Sequence, residues 1–283
     1  SFGSEANVGA YDVNSGSVTY DSSANKIVVF YNANGTSYAG YASVGAISGT
    51  SISFDPFVAF SGVQTYSIVS TFDSTANKIV LAYTDSNNSG YGTAAVVTTS
   101  GSNVTDFIGI SDAAISDTAS GSVTIKGGIV SNSNLLPAVY TPSSGTPVVF
   151  EAGDIGNSNG LPSVAFDSNS NKIVIAYTDV ANSNQGTVIV GTVSGTSISY
   201  GTAVVFETGI TSFSSAVFDS SNNKIVIAYR DGGDSGYGKA IVGTVSGTSI
   251  SFGTAVTFET ANSDHISATF DSNSNKVVIA YRD

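Results

Sequence analysis

The segment Asp219-Ser-Ser-Asn-Asn-Lys-Ile-Val-Ile-Ala-Tyr229 decides the fold, because close copies of it return at four other places in the chain. The other copies occupy residues 21–31, 73–83, 167–177 and 271–281. Each copy joins a polar turn to an apolar run, and a strand that is apolar on both faces is typical of a sheet packed on both sides. The segment therefore predicts a tandem repeat with a central strand buried between neighbouring sheets.

The copies start 52, 94, 52 and 52 residues apart along the chain. Because 94 is about two shorter periods, the spacing predicts a degenerate copy near residue 119 and six copies of about 50 residues in all. The predicted repeats cover about residues 2–53, 54–105, 106–147 (degenerate), 148–199, 200–251 and 252–283 (incomplete). An inserted small β module at residues 106 to about 135 is the alternative interpretation of the irregular stretch.

Each repeat predicts four short strands, because Val, Ile, Tyr and Phe cluster between Gly, Asn, Asp and Ser. In the repeat that starts at residue 200, the predicted strands are Tyr200–Phe206, Ser214–Phe218, Lys224–Tyr229 and Lys239–Val245. Four-stranded units of this length match the blades of a β-propeller. The sequence thus predicts an all-β protein, a single domain over residues 1–283 folded as a six-bladed β-propeller of four-stranded antiparallel blades.

The two ends of the chain carry parts of one predicted blade. Phe2 precedes Tyr20 by 18 residues, and the same spacing separates Phe252 from Phe270. The chain therefore starts at the first strand of a unit and ends after the third, at Asp283. In a closed ring, we expect the two chain ends to share the terminal blade.

Composition excludes several classes of function. The chain has 283 residues with 9 Lys and Arg against 21 Asp and Glu, and its net charge of −12 argues against nucleic-acid binding. It has no Cys and a single His, which removes thiol chemistry and nearly every zinc site. No apolar run reaches the roughly 18 residues of a membrane-spanning helix, so we expect no membrane insertion. We predict no cofactor, no metal site and no catalytic residue.

The candidate site lies in loops at one end of the predicted blades, where carboxylates and aromatic rings recur. The loop Asp231-Gly-Gly-Asp-Ser-Gly-Tyr237 belongs to this more acidic end, whose loops are also longer and more variable. Carboxylates bind sugar hydroxyls, and aromatic faces bind the C–H surfaces of sugars. The predicted ligand-binding residues are Asp85, Tyr91, Asp179, Asp231, Asp234, Tyr237, Asp264 and His265. Solvated loops without a ligand are the alternative interpretation.

Two other recurring motifs have a structural interpretation. Asp167-x-Asn169-x-Asn171 has the oxygen spacing of a calcium loop but lacks its glycine and its closing glutamate, so it predicts a hairpin turn. The tyrosines that end the copies of the repeated segment are predicted to pack between blades. They are Tyr31, Tyr83, Tyr177, Tyr229 and Tyr281.

The repeated motifs resemble a known group of proteins. The run Asn-Lys-Ile-Val-Ile-Ala-Tyr-Arg-Asp-Gly-Gly at residues 223–233 is followed by Gly-Thr-Val-Ser-Gly-Thr-Ser-Ile-Ser-Phe-Gly at residues 243–253. Together they resemble tandem repeats of tail-fibre-like phage proteins and of bacterial surface proteins. Residues 107–128 are similar to a short module that accompanies such repeats in phage structural proteins. The resemblance implies a propeller-like extracellular or virion-associated protein, and it carries no catalytic motif.

These observations predict a non-catalytic binding module on an extracellular or virion surface, and not an enzyme. Its expected partner is a glycan or a cell-surface receptor, bound through the acidic loops and strengthened by multivalent display. Other subunits of a virion or an appendage are further expected partners. Two alternatives stay open at this point. One is a structural decoration or spacer protein without a ligand, and the other is a carbohydrate-active enzyme that uses paired carboxylates.

Overall fold

The computed structural model describes residues 3–9, 12–34, 37–101, 110–111, 123–124, 140–156 and 160–283. These residues form 22 β-strands in antiparallel sheets and no α-helix. The all-β class is therefore confirmed. The sheets are open, and an arrangement as six blades of a propeller is not confirmed.

The first half of the chain contains repeats I and II. Repeat I comprises β1 Val13–Asp21, β2 Lys26–Ala33, β3 Ala39–Ser48, β4 Ser51–Phe54 and the first half of β5 Val58–Asp73. Repeat II comprises the second half of β5, β6 Lys78–Asp85, β7 Tyr91–Gly101, β8 Ile110–Ser111, β9 Val123–Thr124, β10 Tyr140–Ser144 and β11 Val148–Asp154.

The second half of the chain contains repeats III, IV and V. Repeat III comprises β12 Ser163–Asp167, β13 Lys172–Asp179, β14 Gln185–Ser194, β15 Ser197–Tyr200 and the first half of β16 Val204–Asp219. Repeat IV comprises the second half of β16, β17 Lys224–Asp231, β18 Tyr237–Ser246, β19 Ser249–Phe252 and β20 Val256–Asn262. Repeat V comprises β21 Asp264–Asp271 and β22 Lys276–Arg282.

Strand pairing follows one pattern in every complete repeat. The first strand pairs with the second, the second with the third, and the third with two segments in succession. In repeat IV, β18 pairs with β19 at its carboxyl end and with β20 at its amino end. The chain then runs directly into the next first strand, so that β5 and β16 each close one sheet and open the next.

The prediction of two separate strands at Tyr200–Phe206 and Ser214–Phe218 is therefore wrong. Residues 201–203 lie outside any strand, and Val204–Asp219 is one strand of 16 residues. Its register shifts between Ser212 and Ser215, which marks a β-bulge where the strand exchanges one sheet for the next. The polar stretch before this bulge has the composition of a loop, although its backbone continues the ladder.

Repeat II explains the step of 94 residues. Strand β10 pairs with β7 in the register that β4 adopts on β3, with Ser144 opposite Val97 as Phe54 is opposite Gly45. Two residues separate Ser48 from Ser51 at the hairpin of repeat I, whereas 40 residues separate Ser100 from Thr141. The pairing is thus the one that an inserted segment predicts, and it gives five repeats among the described residues. Apart from β8 and β9, which pair with each other, residues 102–139 lie outside the described part, including most of the predicted degenerate repeat.

The core lies between the sheets, which pack face to face in chain order. One face of β17, with Ile225, Ile227 and Tyr229, packs on Val174 and Ala176 of β13. The opposite face of β13 packs in the same way on repeat II, and repeat II packs on repeat I. Tyr83, Tyr177 and Tyr229 are buried between repeats, as predicted. Tyr31 is buried against Tyr41 of its own repeat, and Tyr281 contacts Phe258 of repeat IV but is 39% exposed, so the prediction is wrong for these two.

The repeated turns are built by their aspartates. Asp167 accepts hydrogen bonds from the backbone N–H of Asn169 at 2.9 Å and of Ser170 at 3.1 Å, and Asn171 closes the turn with a φ of 54°. Asp219 makes the equivalent bonds to Ser221 and Asn222. The prediction of a hairpin turn is confirmed, because the carboxylate satisfies local backbone donors in an Asx turn.

Burial between repeats predicts unequal effects for one substitution at two equivalent positions. Val174 is fully buried in repeat III, whereas Val278, at the same position of repeat V, is 51% exposed. We expect Val174→Ala to lower the free energy of unfolding by about 2 kcal/mol, since two carbons leave a packed core. Val278→Ala is expected to change it by less than about 0.5 kcal/mol. Urea denaturation of both variants tests this, and equal losses would contradict a core that lies between sheets.

The turn aspartates predict a loss of stability in acid. Hydrogen bonds from Ser221 and Asn222 lower the pKa of Asp219, because they stabilise its charged form. Its contribution is complete above the pKa of the unfolded carboxyl, about 4, and is lost as pH falls through the lower pKa of the folded state. Asp219→Asn should therefore be less stable at pH 7 and should lose less stability below about pH 4. Thermal denaturation between pH 7 and pH 2 tests this, with the exposed Asp12→Asn as control, and parallel profiles would contradict it.

Candidate functional site

The ladders bring the predicted site loops to one end of the sheets. Asp231, the last residue of β17, lies opposite Tyr237 on one side and Thr211 on the other. Glu259 lies opposite Gly238, the next residue along β18. The loops between second and third strands and the bulges of the first strands therefore meet at this end, which we call the loop end.

The aspartates that end the second strands hold their own loops. Asp231 accepts hydrogen bonds from the N–H groups of Gly233 at 2.9 Å and Asp234 at 3.2 Å. Asp85 accepts one from Asn87 at 3.1 Å, and Asp179 accepts one from Asn182 at 3.1 Å. These three predicted ligand-binding residues thus cap turns in three successive repeats, and Asp231 is buried.

Two further predicted residues are engaged in ion pairs. Lys239 Nζ lies 2.7 Å from Asp231 Oδ2 and 2.8 Å from Asp234 Oδ2, and these hydrogen bonds raise the pKa of the lysine. Asp264 lies 2.7 Å from Arg282 and 3.7 Å from Arg230. The hydrogen bond from Arg282 lowers the pKa of Asp264. Much of the acidic charge of the loop end is therefore neutralised locally.

The eight predicted residues do not form one site. Asp231, Asp234, Tyr237, Asp264 and His265 meet at the junction of repeats IV and V, linked by the Arg230–Asp264 pair and by the ladder of β18 and β20. Asp85 and Tyr91 lie in repeat II, and Asp179 lies in repeat III. The exposed His265 ring contacts Phe213 at a tilt of 45°, with ring centroids 5.1 Å apart.

Glutamates of the loop end bind the buried tyrosines. Tyr177 donates a hydrogen bond to Glu151 at 3.0 Å, and Tyr229 donates one to Glu207 at 3.0 Å. Burial, followed by the charge of the nearby glutamate, raises the pKa of both tyrosines. These glutamates thus join the last segment of one repeat to the second strand of the next, and their carboxylates are already engaged.

The described part of the loop end contains a cleft of about 570 Å³ where repeats I, II and III meet. Ser15, Tyr66 and Thr84 line it, together with Asp154 and the apolar Leu161. Asn14, Ser67, Ser86 and Ser89 complete its polar wall. Its volume matches that of small-molecule sites in proteins.

Local backbone geometry holds the cleft open. Gly90, with a φ of +80°, faces Asp154, and a Cβ at Gly90 would lie 3.0 Å from Asp154 Oδ1. The carboxylate of Asp154 accepts a hydrogen bond from Gly156 N–H at 3.1 Å, which fixes its direction. Thr84 Oγ1 lies buried behind the lining, without a hydrogen-bond partner within the described chain. The cleft therefore presents the carboxylate of Asp154 in a fixed direction.

The cleft exists because its residues depart from the repeat. The bulge of each first strand carries one side chain at the same register, and the cleft lies where these positions hold Ser15 and Ser67. Repeats IV and V have the rings of Phe213 and His265 at those positions. Small side chains thus leave open a space that rings occupy at the other junction.

Sequence reasoning missed Tyr66 and Asp154, because it searched for residues that recur with the repeat. The ladder position of Tyr66 is occupied in other repeats by Asn14, Ser212 and Asp264. The ladder position of Asp154 is occupied in other repeats by Gln64, Ile210 and Asn262. Both positions vary among repeats, whereas the turn aspartates are constant. Variation within an otherwise regular repeat is the signal that identifies these two residues from sequence.

The side chains that line the cleft can bind a ligand mainly by hydrogen bonds. Within the described ranges, its lining has one carboxylate and no Lys, Arg or His. No group of three or more His, Cys, Asp or Glu side chains in the described part of the chain is arranged to hold a metal ion. The described residues also include no helix long and apolar enough to span a bilayer. The arrangement suits a neutral ligand that has several hydroxyl groups.

Comparison with protein families and with curated proteins gives no match for this chain. No protein-family model matches it. No curated protein matches it either. The main structural features of the protein are its stacked antiparallel repeats and the cleft at their loop end.

Proposed function

We propose that the protein is a non-catalytic saccharide-binding module, and that the cleft at the junction of repeats I, II and III receives a neutral sugar. The observation that carries the proposal is the lining of the cleft, in which hydroxyl groups and one carboxylate surround a space of about 570 Å³. A neutral sugar offers hydroxyl groups to such donors and acceptors and C–H surfaces to Tyr66 and Leu161. The absence of cationic side chains from the described lining disfavours phosphate and acidic sugars.

The proposal includes a propeller-like arrangement of the repeats. Neighbouring first strands are linked by hydrogen bonds across the repeat, such as Ser163 Oγ accepting from Ala216 N–H at 2.9 Å. Ser215 Oγ accepts from Ala268 N–H at 2.9 Å in the next junction. First strands that line an axis are a property of propeller blades. The five repeats of the described residues support a smaller number of blades than the six predicted from sequence.

The lining favours binding over catalysis. Glycoside hydrolysis uses two carboxyl groups that flank the scissile bond. Asp154 is the one carboxylate among the described lining residues, and a hydrogen bond from Gly156 N–H fixes its direction. A fixed carboxylate binds hydroxyl groups well, and a lone carboxylate does not provide both catalytic roles.

The proposed location is an extracellular or virion surface, where several copies of the module are displayed. A single open cleft binds a sugar weakly, because few polar contacts must offset the entropy of association. Display of linked copies raises the effective affinity without new contacts. The resemblance of the repeated motifs to tail-fibre-like and surface proteins supports this location.

A printed array of neutral and acidic glycans tests the proposed function. The protein should bind neutral glycans. Asp154→Asn should weaken binding at least tenfold, since a charge-assisted hydrogen bond contributes roughly 1.5–3 kcal/mol. Tyr66→Ala should also weaken binding at least tenfold, since it removes the ring that contacts the C–H surface of the sugar. Asp264→Asn and Tyr20→Ala are matched controls outside the cleft and should bind normally. Loss of binding in Asp264→Asn alone would move the site to the junction of repeats IV and V, and no binding to any neutral glycan would refute the proposal.

Filling the cleft offers a second test. Ser67 has a φ of 52°, and Phe213 adopts 51° at the same register, so the backbone of this bulge accepts a ring. Ser67→Phe should abolish glycan binding and leave the thermal unfolding temperature within a few degrees of the original. Ser235→Phe, at an exposed position with a φ of 58°, is the control and should bind normally. A folded Ser67→Phe protein with full binding would contradict a ligand in this cleft.

A further inference from the structure

The first strands carry a row of bulge positions that the cleft uses only in part. The register shifts between Val13 and Gly16 in β1, between Tyr66 and Val69 in β5, and equivalently in β16 and β21. The equivalent position of repeat III directly precedes β12. We call this set the bulge row, and its members are Ser15, Ser67, Leu161, Phe213 and His265.

The bulge row has unusual backbone geometry. Ser67, Phe213 and His265 have φ values of 52°, 51° and 50°. This left-handed region is uncommon for any residue other than glycine, and for a bulky residue such as Phe it is an outlier. Backbone strain of this kind concentrates at ligand-binding sites, where the surrounding structure maintains it. Glycine would remove the strain, but it would also remove the side chain that each bulge presents.

The row continues from one repeat to the next. Ser15 Oγ accepts a hydrogen bond from Ile68 N–H of β5 at 3.4 Å, which links repeats I and II. Ser67 and Leu161 line the same cleft and link repeats II and III. The hydrogen bond from Ala216 N–H to Ser163 links β12 to β16, and the Phe213–His265 ring contact links β16 to β21. The first strands that carry or directly follow these members therefore neighbour one another from repeat I to repeat V.

The chemistry of the row changes along its length. Its first part presents the hydroxyl groups of Ser15 and Ser67 beside Asp154 in the cleft. Leu161, which is 52% exposed, follows as an apolar step. The last part presents the half-buried ring of Phe213 and the exposed ring of His265. Hydroxyl groups match the rim of a sugar, and apolar and aromatic surfaces match its C–H faces.

We infer that the bulge row is an extended track for a neutral oligosaccharide, in which the cleft binds one sugar unit and the Phe213–His265 pair binds another unit of the same chain. This inference rests on the proposed function and specifies its ligand class as a chain of several sugars rather than a single sugar. Phe213 and His265 thus act as a second contact that a monosaccharide in the cleft does not reach. The binding contribution of this second contact depends on the length of the saccharide.

A length series of neutral sugars tests the track. The probes are glucose and maltohexaose, and N-acetylglucosamine and chitohexaose. His265 is the single histidine of the sequence, so its ring C–H signal in a proton NMR spectrum needs no assignment against other histidines. We expect at least one hexasaccharide to bind tenfold or more tightly than its monosaccharide and to shift the His265 signal, which the monosaccharide leaves unchanged.

Variants separate the track from the cleft. Phe213→Ala should reduce the affinity for the hexasaccharide to that for the monosaccharide, and it should leave monosaccharide affinity unchanged. His265→Ala, at an exposed position, repeats the test if Phe213→Ala does not fold. Tyr20→Ala removes an exposed ring from another first strand and should bind both lengths normally.

The outcomes distinguish this inference from the proposed function. Equal affinities for both lengths, with an unchanged His265 signal and binding that Asp154→Asn abolishes, would refute the track and leave the saccharide cleft supported. A shift of the His265 signal by the monosaccharide alone would also refute the track. Binding of neither length to the unaltered protein would overturn both proposals for these sugars.

Discussion

Burial of the second strands on both faces is the constraint on which the structure depends. A strand such as Lys224–Asp231 has apolar side chains on each side of its sheet, and its own repeat covers neither side. Ile225 and Ile227 are covered by repeat III, and β17 also contacts β21 of repeat V. A single repeat is therefore unable to bury its core, and stability arises at the interfaces between neighbouring repeats.

The sequence predicted the parts of the fold that this constraint controls. Residues that recur in each repeat predicted the all-β class, the buried second strands and the turns at Asp167 and Asp219. They also predicted the packing of Tyr83, Tyr177 and Tyr229 between repeats. The division into strands was less predictable, because Glu207-Thr-Gly-Ile-Thr211 has the composition of a loop while its backbone continues a ladder. Hydrogen bonds to a neighbouring sheet override local composition there. Local composition also could not show that Tyr140–Ser144 pairs with β7 across a long insertion.

The candidate site was predicted least well, for a related reason. Repetition draws attention to residues such as Asp85, Asp179 and Asp231, and repetition is also what a structural role requires. These aspartates cap their own loops, and Asp231 is further engaged by Lys239. Tyr66 and Asp154 line the cleft, and other residue types stand at their registers in the other repeats. In a repeat protein, the regular positions maintain the scaffold, and singular residues at regular positions are the stronger indication of binding.

The continuous strand Val204–Asp219 has a consequence for how such a chain lengthens. Its first half completes one sheet and its second half begins the next. A segment of one repeat length, excised from the chain, therefore carries one half of such a shared strand at each end. The two halves are complementary, because the junctions at β5 and β16 share one strand pairing. A tandem duplication of one period therefore inserts a unit whose ends already fit the chain on both sides, wherever the breakpoint falls. Arrays of this kind can grow or shrink by recombination without any need to redesign an interface.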